Sequence, residues 1–269
     1  MIVRAFLSLV VALLYAGAVQ AGDFEDGLAA FRQQDYATAF TRWRSAAQQG
    51  DPAAQFNLGL MYVEGRGVLQ EYKEAVRWYQ LAAQQGDAEA QFNLGTMHSK
   101  GRGLAQDYKE AVRWYQIAAQ QGYAAAQFNL GLMYEDGRGV AQDYKEALRW
   151  YQLAAQQGYA DAQLNLGFLY GKGRGALQDY KEAVRWYKFA AKQNNNRAQH
   201  NLGVMHYEGT GVLQDYVRAH MWFNIAAVGG DSDSAKNRDI AASKMTAQQV
   251  EQAQRMAREC MNSNFKNCD

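Results

Sequence analysis

Proline is almost missing from this chain, with one copy in 269 residues. Because proline breaks helix interiors, that scarcity favours a mainly helical protein, and the single copy, Pro52, suits the first position of a helix. A charge excess of either sign is missing as well. The 28 basic residues meet 27 acidic ones, interleaved along the chain rather than gathered into the basic stripe that a phosphate backbone requires, so nucleic acid is not an expected partner. Neither Lys-Thr-Gly nor Gly-x-Ser-x-Gly occurs, and the Gly-x-Gly elements stand between helical segments, whereas phosphate-binding loops follow a strand. With no motif for nucleophilic or phosphoryl chemistry, no catalytic residue is assigned and the chain is read as a non-enzyme that needs no cofactor.

Long apolar runs are also scarce. The one near the start, Ala5 to Ala16, is shorter than the roughly 20 residues that a spanning helix needs. Preceded by Arg4 and followed by Ala18-Val19-Gln20-Ala21, it reads as a secretory signal over residues 1–21, with cleavage after Ala21. No cysteine stands near that point to take a lipid, so the expected mature form has no stable membrane anchor and is periplasmic or secreted. Cys260 and Cys268 are the only cysteines. Export to an oxidising compartment makes their pairing the expectation.

What the chain does have is repetition. Hydrophobic residues make up 48% of it, enough for a sizeable core. Near-identical blocks begin at Ala54, Ala90, Ala126, Ala162 and Ala198, a spacing of 36 residues. A period of that size indicates a solenoid of helix pairs in which each unit buries its apolar face against the next. Each block opens with Gln-x-Asn-Leu-Gly on a first helix (helix A), passes through a Gly-x-Gly loop, and continues to a second helix (helix B) carrying Trp78, Trp114, Trp150, Trp186 or Trp222. Asp51 suits the N-cap of helix A and Gly65 its left-handed end. Asp107 with Glu110, Asp143 with Glu146 and Asp179 with Glu182 read as capping boxes for helix B, and Gly86, Gly122, Gly158 and Asn194 as its ends. The expected organisation is therefore a signal over 1–21, a diverged N-terminal capping unit over 22–53, five repeats over 54–233, and C-terminal capping helices and tail over 234–269. In the first of these caps, alignment places Trp43 opposite Tyr79 rather than Trp78. His98, His200, His206 and His220 include no i,i+4 pair, and His98 and His206 hold equivalent places three repeats apart, too far along a stack to share one ion. No metal site is expected.

The pattern Ala-x-x-x-Leu-Gly-x-x-Tyr-x-x-Gly-x-Gly-Val-x-x-Asp-Tyr-x-x-Ala-x-x-Trp-x-x-x-Ala-Ala, read from Ala126 to Ala155, resembles the Sel1-like repeat family, relatives of tetratricopeptide repeats. The resemblance implies an all-α fold, a right-handed α-solenoid of stacked antiparallel helix pairs. It also implies a protein or peptide partner, bound in settings such as bacterial envelope signalling, secretion or host contact. The chain departs from the pattern at Thr210, which replaces a loop arginine, at His98 and His206, which replace the helix A tyrosine, and at Phe223.

Five internal copies separate constant positions from variable ones. Ala54, Leu58, Met61 and their equivalents recur at helical spacing and form a buried face, and Gly59 and its copies permit close backbone approach. Variation follows another stripe: Phe56, Phe92, Phe128, Leu164 and His200; Leu60, Thr96, Leu132, Phe168 and Val204; then Val63, Ser99, Glu135, Gly171 and Tyr207. By resemblance to tetratricopeptide repeats, helix A lines the concave surface, so this stripe is the candidate partner-binding groove. The adjoining Asn57, Asn93, Asn129, Asn165 and Asn201 offer a ladder of amides to an extended backbone. The phenylalanine row has a competing reading as core, and the asparagine row as capping or solvation. Arg66, Arg102, Arg138 and Arg174 in the loops are given no role. The function expected is an exported scaffold, an adaptor or regulator in the bacterial cell envelope. A secreted enzyme acting on cell wall or β-lactam and a self-associating spacer are the alternatives, and oligomeric state is left open.

Overall fold

The computed structural model describes residues 22–268, so the expected signal over 1–21 lies outside the described residues. Among the described residues there are helices and no strand. After α1 (22–32) come α2 (Tyr36–Gln48), α3 (Pro52–Glu64), α4 (Tyr72–Gln84), α5 (Ala88–Lys100), α6 (Tyr108–Gln120) and α7 (Ala124–Asp136). They are followed by α8 (Tyr144–Gln156), α9 (Ala160–Lys172), α10 (Tyr180–Ala191), α11 (Asn196–Glu208), α12 (Tyr216–Val228), α13 (Ser232–Ala242) and α14 (Ala247–Asn262). The chain divides into two compact units, 22–126 and 127–268. Within each, a helix packs on its sequence neighbours, giving an all-α solenoid of stacked helix pairs.

Local signals act where the sequence places them. Asp51 caps α3 by accepting the Ala54 N–H at 2.9 Å, and Pro52 occupies the first turn. Gly65, at φ +69°, ends the helix by donating to the Met61 carbonyl. Gly86 and Asn194, both at positive φ, close α4 and α10. The capping boxes are corrected in one respect. Asp107, Asp143 and Asp179 each accept two N–H groups of the first turn, but Glu110, Glu146 and Glu182 do not reach back. Those glutamates pair with Arg113, Arg149 and Arg185 three residues on. The aspartate N–H groups donate instead to the carbonyls of His98, Tyr134 and Tyr170 on the preceding helix A. That bond makes the return from Glu redundant. A two-way capping box exists at Thr246 and Gln249 on α14.

Two contacts recur along the stack. Gly95, Gly131 and Gly167 lie against the rings of Tyr115, Tyr151 and Tyr187, so close that an added Cβ would sit 2.8, 2.6 and 2.7 Å from ring carbons. Gly27 faces Trp43 in the same way at 2.5 Å, so the diverged first unit keeps the packing with a larger ring, as its alignment with Tyr79 implies. The second contact is polar. Gln91 is buried, donates to the Ala83 carbonyl of the repeat before it and accepts from Gln121 of its own repeat. Gln55 makes the same two bonds with Ala47 and Gln85. Each such glutamine satisfies a helix end that would otherwise be left unpaired, which is the usual reason a buried amide is tolerated.

The C-terminal pair runs from Ser232 to Ala242 and from Ala247 to Asn262, where the sequence pattern marks Ser234 to Met245 and Thr246 to Cys260. Cys260 and Cys268 are bonded, and both are buried in one cluster with Val184, Tyr187 and Trp222. The bond closes a loop of eight residues. A loop that short removes little freedom from the unfolded chain, so its stabilisation falls near the low end of about 2 to 4 kcal/mol.

Candidate functional site

The variable stripe divides into residues spent on internal packing and residues that line open cavities. In the first unit the phenylalanines are half-buried. Phe56 packs against Tyr79 at 5.9 Å, and Phe92 against Tyr115 and Tyr123 at 5.8 and 5.3 Å. Thr96 bonds back to the Phe92 carbonyl and meets the Tyr115 hydroxyl. Asn93 is half-buried. Asn57 and Leu60 line a cavity of about 250 Å³ closed by Leu28, Phe31 and Trp43 of the N-terminal cap.

In the second unit the stripe borders three successive cavities. The first, about 280 Å³, lies among Leu132 and Glu135 of α7, Leu164, Asn165 and Phe168 of α9, and Asn201 of α11. The next, about 410 Å³, shares Phe168 and Asn201 and adds Tyr180, Val204, Glu208 and Thr210. A third, about 210 Å³, continues past Val204 to Tyr207, Phe223 and Ile240. Phe168 is an exposed aromatic residue, with Lys172 at 6.0 Å and Arg174 at 5.6 Å from its ring. Of the predicted residues here, Phe128 packs on Tyr151 and Tyr159 and Asn129 is half-buried.

His200 is placed differently from its row. Its Nδ1 lies 2.7 Å from the Ser234 hydroxyl and 3.1 Å from Asp231, and its ring meets Phe223 edge-on. The residue types are those of a hydrolytic triad, but the geometry is not. One imidazole nitrogen faces both partners, whereas a triad uses one nitrogen for serine and the other for the carboxylate. Ser234 is fully buried and its hydroxyl donates to Asp231, the N-cap of α13. The cluster is the cap of that helix. The expectation that no motif for nucleophilic chemistry occurs is corrected in one respect: a Ser-x-x-Lys string runs from Ser263 to Lys266, where the Ser263 hydroxyl donates to the Cys260 carbonyl and accepts from the Asn267 N–H.

The asparagine row proves partly internal. Asn165 and Asn201 hydrogen-bond the buried hydroxyls of Tyr151 and Tyr187. Burial, followed by the bond to Glu135 at 2.6 Å, drives the Tyr151 phenol far above its ordinary range. Tyr187 is pushed up to about 12, again by burial. Both stay neutral: the Tyr151 hydroxyl donates to Glu135 and accepts from the Asn165 amide, and the Tyr187 hydroxyl accepts from the Asn201 amide, which fixes both amides beside the cavities. Glu135 is held by Tyr151 at the rim.

One recurring set of packing contacts escaped the sequence reading. Arg66, Arg102 and Arg174 lay their guanidinium groups over Tyr36, Tyr72 and Tyr144 at the start of the preceding helix B, at 5.8, 5.6 and 5.2 Å. Exposed stacks of this kind contribute about 0.5 to 1 kcal/mol each. The signal was available, since arginine and tyrosine recur with the repeat, but their separation of 30 residues conceals the pairing. Among the described residues no group of His, Cys, Asp and Glu is arranged to hold a metal, and no helix is long and apolar enough to cross a membrane.

The Sel1 repeat pattern matches this chain at residues 52–87, 88–123, 124–159, 160–195 and 196–231, two residues ahead of the blocks read above. A Sel1 repeat protein from Oxalobacter formigenes is 35% identical over 79% of this chain and 88% of its own, with a TM-score of 0.75. A protective antigen present in uropathogenic Escherichia coli strains, displaying an SLR fold, is 33% identical over 96% of this chain, with a TM-score of 0.83. The chain spans 57% of that antigen's length. None of the curated proteins matches it.

Proposed function

This chain belongs to the Sel1 repeat family, and we propose that it is an exported scaffold of the bacterial cell envelope that grips an extended segment of a partner protein along the helix A face of α7, α9 and α11. The observation that carries this reading is the run of three adjoining cavities bordered by Leu132, Phe168, Val204 and Tyr207. These positions differ from copy to copy, while the glycines of the packing column, Gly59, Gly95, Gly131, Gly167 and Gly203, do not. Mixed linings, in which Leu132, Phe168 and Val204 stand beside fixed amides and charges, suit a polypeptide: its side chains fill the hollows, and Asn165 and Asn201 orient the backbone. The disulfide between Cys260 and Cys268 fits an oxidising compartment, and with it a signal cleaved after Ala21.

The test is crosslinked affinity capture from the native envelope fraction, comparing wild type with a variant carrying Leu132→Glu and Phe168→Glu, read by mass spectrometry. A partner retained by wild type and lost by a folded variant is the expected result. Equal capture by both would place binding on another face.

A further inference from the structure

The first and fifth repeats share a loop architecture and differ at one residue within it. In the first, Glu64-Gly65-Arg66-Gly67 crosses the start of α2, with Gly67 against the Tyr36 backbone. Arg66 bonds Glu64 at 3.0 Å and covers the Tyr36 ring at 5.8 Å. In the fifth, Glu208-Gly209-Thr210-Gly211 crosses the start of α10, with Gly211 against the Tyr180 backbone in the same way. The carboxylate and the ring are both kept, but the arginine is Thr210, whose short hydroxyl reaches Glu208 at 3.4 Å.

The consequence is visible in exposure. Tyr36, Tyr72, Tyr108, Tyr144 and Tyr216 are all partly covered, whereas Tyr180, the fifth of this row, is 40% exposed. A second departure widens the space. Gly171 stands where the other copies carry Val63, Ser99, Glu135 and Tyr207, and together they leave the 410 Å³ cavity lined by Phe168, Gly171, Tyr180, Val204, Glu208 and Thr210. Its charged lining residues are Glu208 and Lys172.

We propose that this cavity is a seat for a guanidinium group brought by the partner, an arginine side chain of the bound segment that stacks on Tyr180 and pairs with Glu208. The first repeat shows the chemistry such a seat accepts, because an internal arginine fills it there. A planar guanidinium can stack and hydrogen-bond a carboxylate at once, which the compact ammonium of lysine does less well. Lys172 opposes any cation, so Glu208 is needed to offset it. This seat deepens the groove reading and rests on it, since the arginine belongs to the segment lying along α9 and α11.

The test uses a small probe and needs no partner. N-acetyl-arginine amide is titrated into the purified protein while tyrosine ring signals are followed by NMR, beside the neutral isostere N-acetyl-citrulline amide. Saturable shifts of Tyr180 are expected, at least tenfold tighter for the arginine derivative. Glu208→Gln weakens them at least tenfold. Thr210→Arg, which rebuilds the arrangement that folds in the first repeat, abolishes them. Equal binding of the citrulline derivative, or unchanged binding to Thr210→Arg, would overturn the seat. Leu69→Ser, at an exposed position that borders none of these cavities, leaves the titration unaltered. A failed titration with partner capture still sensitive to Leu132 and Phe168 would overturn the seat alone.

Discussion

Two glycines on α9 sit one helical turn apart in regions governed by opposite rules. Gly167 belongs to the packing column, where a Cβ would press on Tyr187 at 2.7 Å and on the Ala183 carbonyl at 3.1 Å. Gly171 belongs to the open face, where a Cβ would meet Ala183 at an ordinary 3.6 Å. The first glycine is present in all five repeats, and the second is replaced by Val63, Ser99, Glu135 and Tyr207. Constancy among the copies thus marks positions where sterics leave no choice, and variation marks positions where the surface is available for something else.

The sharpest way to break that comparison is Gly167→Ala. It should lower unfolding stability by about 3 kcal/mol, because a packed ring and a backbone carbonyl must both move. Chemical denaturation measures this, and a cost under about 1 kcal/mol would show that the column has slack.

The buried glutamines give the next largest contrast. Gln91 uses both ends of its amide, whereas Gln199 donates to Ala191 and Asn194 and its Oε1 has no partner among the described residues, because Gly229 stands where Gln121 stands in the second repeat. Gln91→Leu should cost about 1 to 2 kcal/mol, since it orphans groups on two repeats. Gln199→Leu should cost clearly less. Equal costs in denaturation would mean that the relay does not couple neighbouring repeats.

Acid sharpens the contrast between the fifth repeat and the rest. His220 occupies the place of Val76, Val112, Leu148 and Val184, and is buried. Burial, with the nearby Arg238 second and Asp239 opposing, holds its pKa below the ordinary histidine value of 6.5. The unfolded chain therefore binds the proton more readily than the folded one. Stability from this group is complete above about pH 6.5 and is lost as the pH falls from there through the folded pKa. His220→Gln should lose less stability than wild type between pH 7.5 and 5.5. A parallel decline would assign the acid sensitivity to other groups.

The smallest effect is Gly171→Ala, which should stabilise by about 0.5 to 1 kcal/mol, because a helical glycine with room for a methyl gives up only unfolded-state freedom. A loss of stability would place Gly171 in the packing column after all.

Much of the fold was legible because the repeat states each rule five times: Asp51 and Gly65 bound the first helix A, and the short connections force neighbouring helices to pair. The reading failed where a residue acts on a neighbouring repeat. Arg66 takes no role in the sequence because the ring it covers, Tyr36, lies 30 positions earlier. Asn165 and Asn201 looked like a free ladder because nothing in their own helix reveals that Tyr151 and Tyr187 supply their partners. His200 looked like one more stripe position until the C-terminal cap brought Ser234 and Asp231 to it. Glu110 looked like half of a capping box because spacing cannot tell that the loop fold has already satisfied the Asp107 N–H.

The proposed groove is tested most directly by photocrosslinking in living cells with benzoyl-phenylalanine placed in turn at Phe168 and Phe189. Both are exposed aromatic positions, so the replacement perturbs each similarly, but Phe168 borders two of the three helix A cavities and Phe189 borders none of them. The account predicts a discrete crosslinked partner from position 168 and none from position 189. A partner trapped from position 189 alone would contradict it and move the binding surface to helix B.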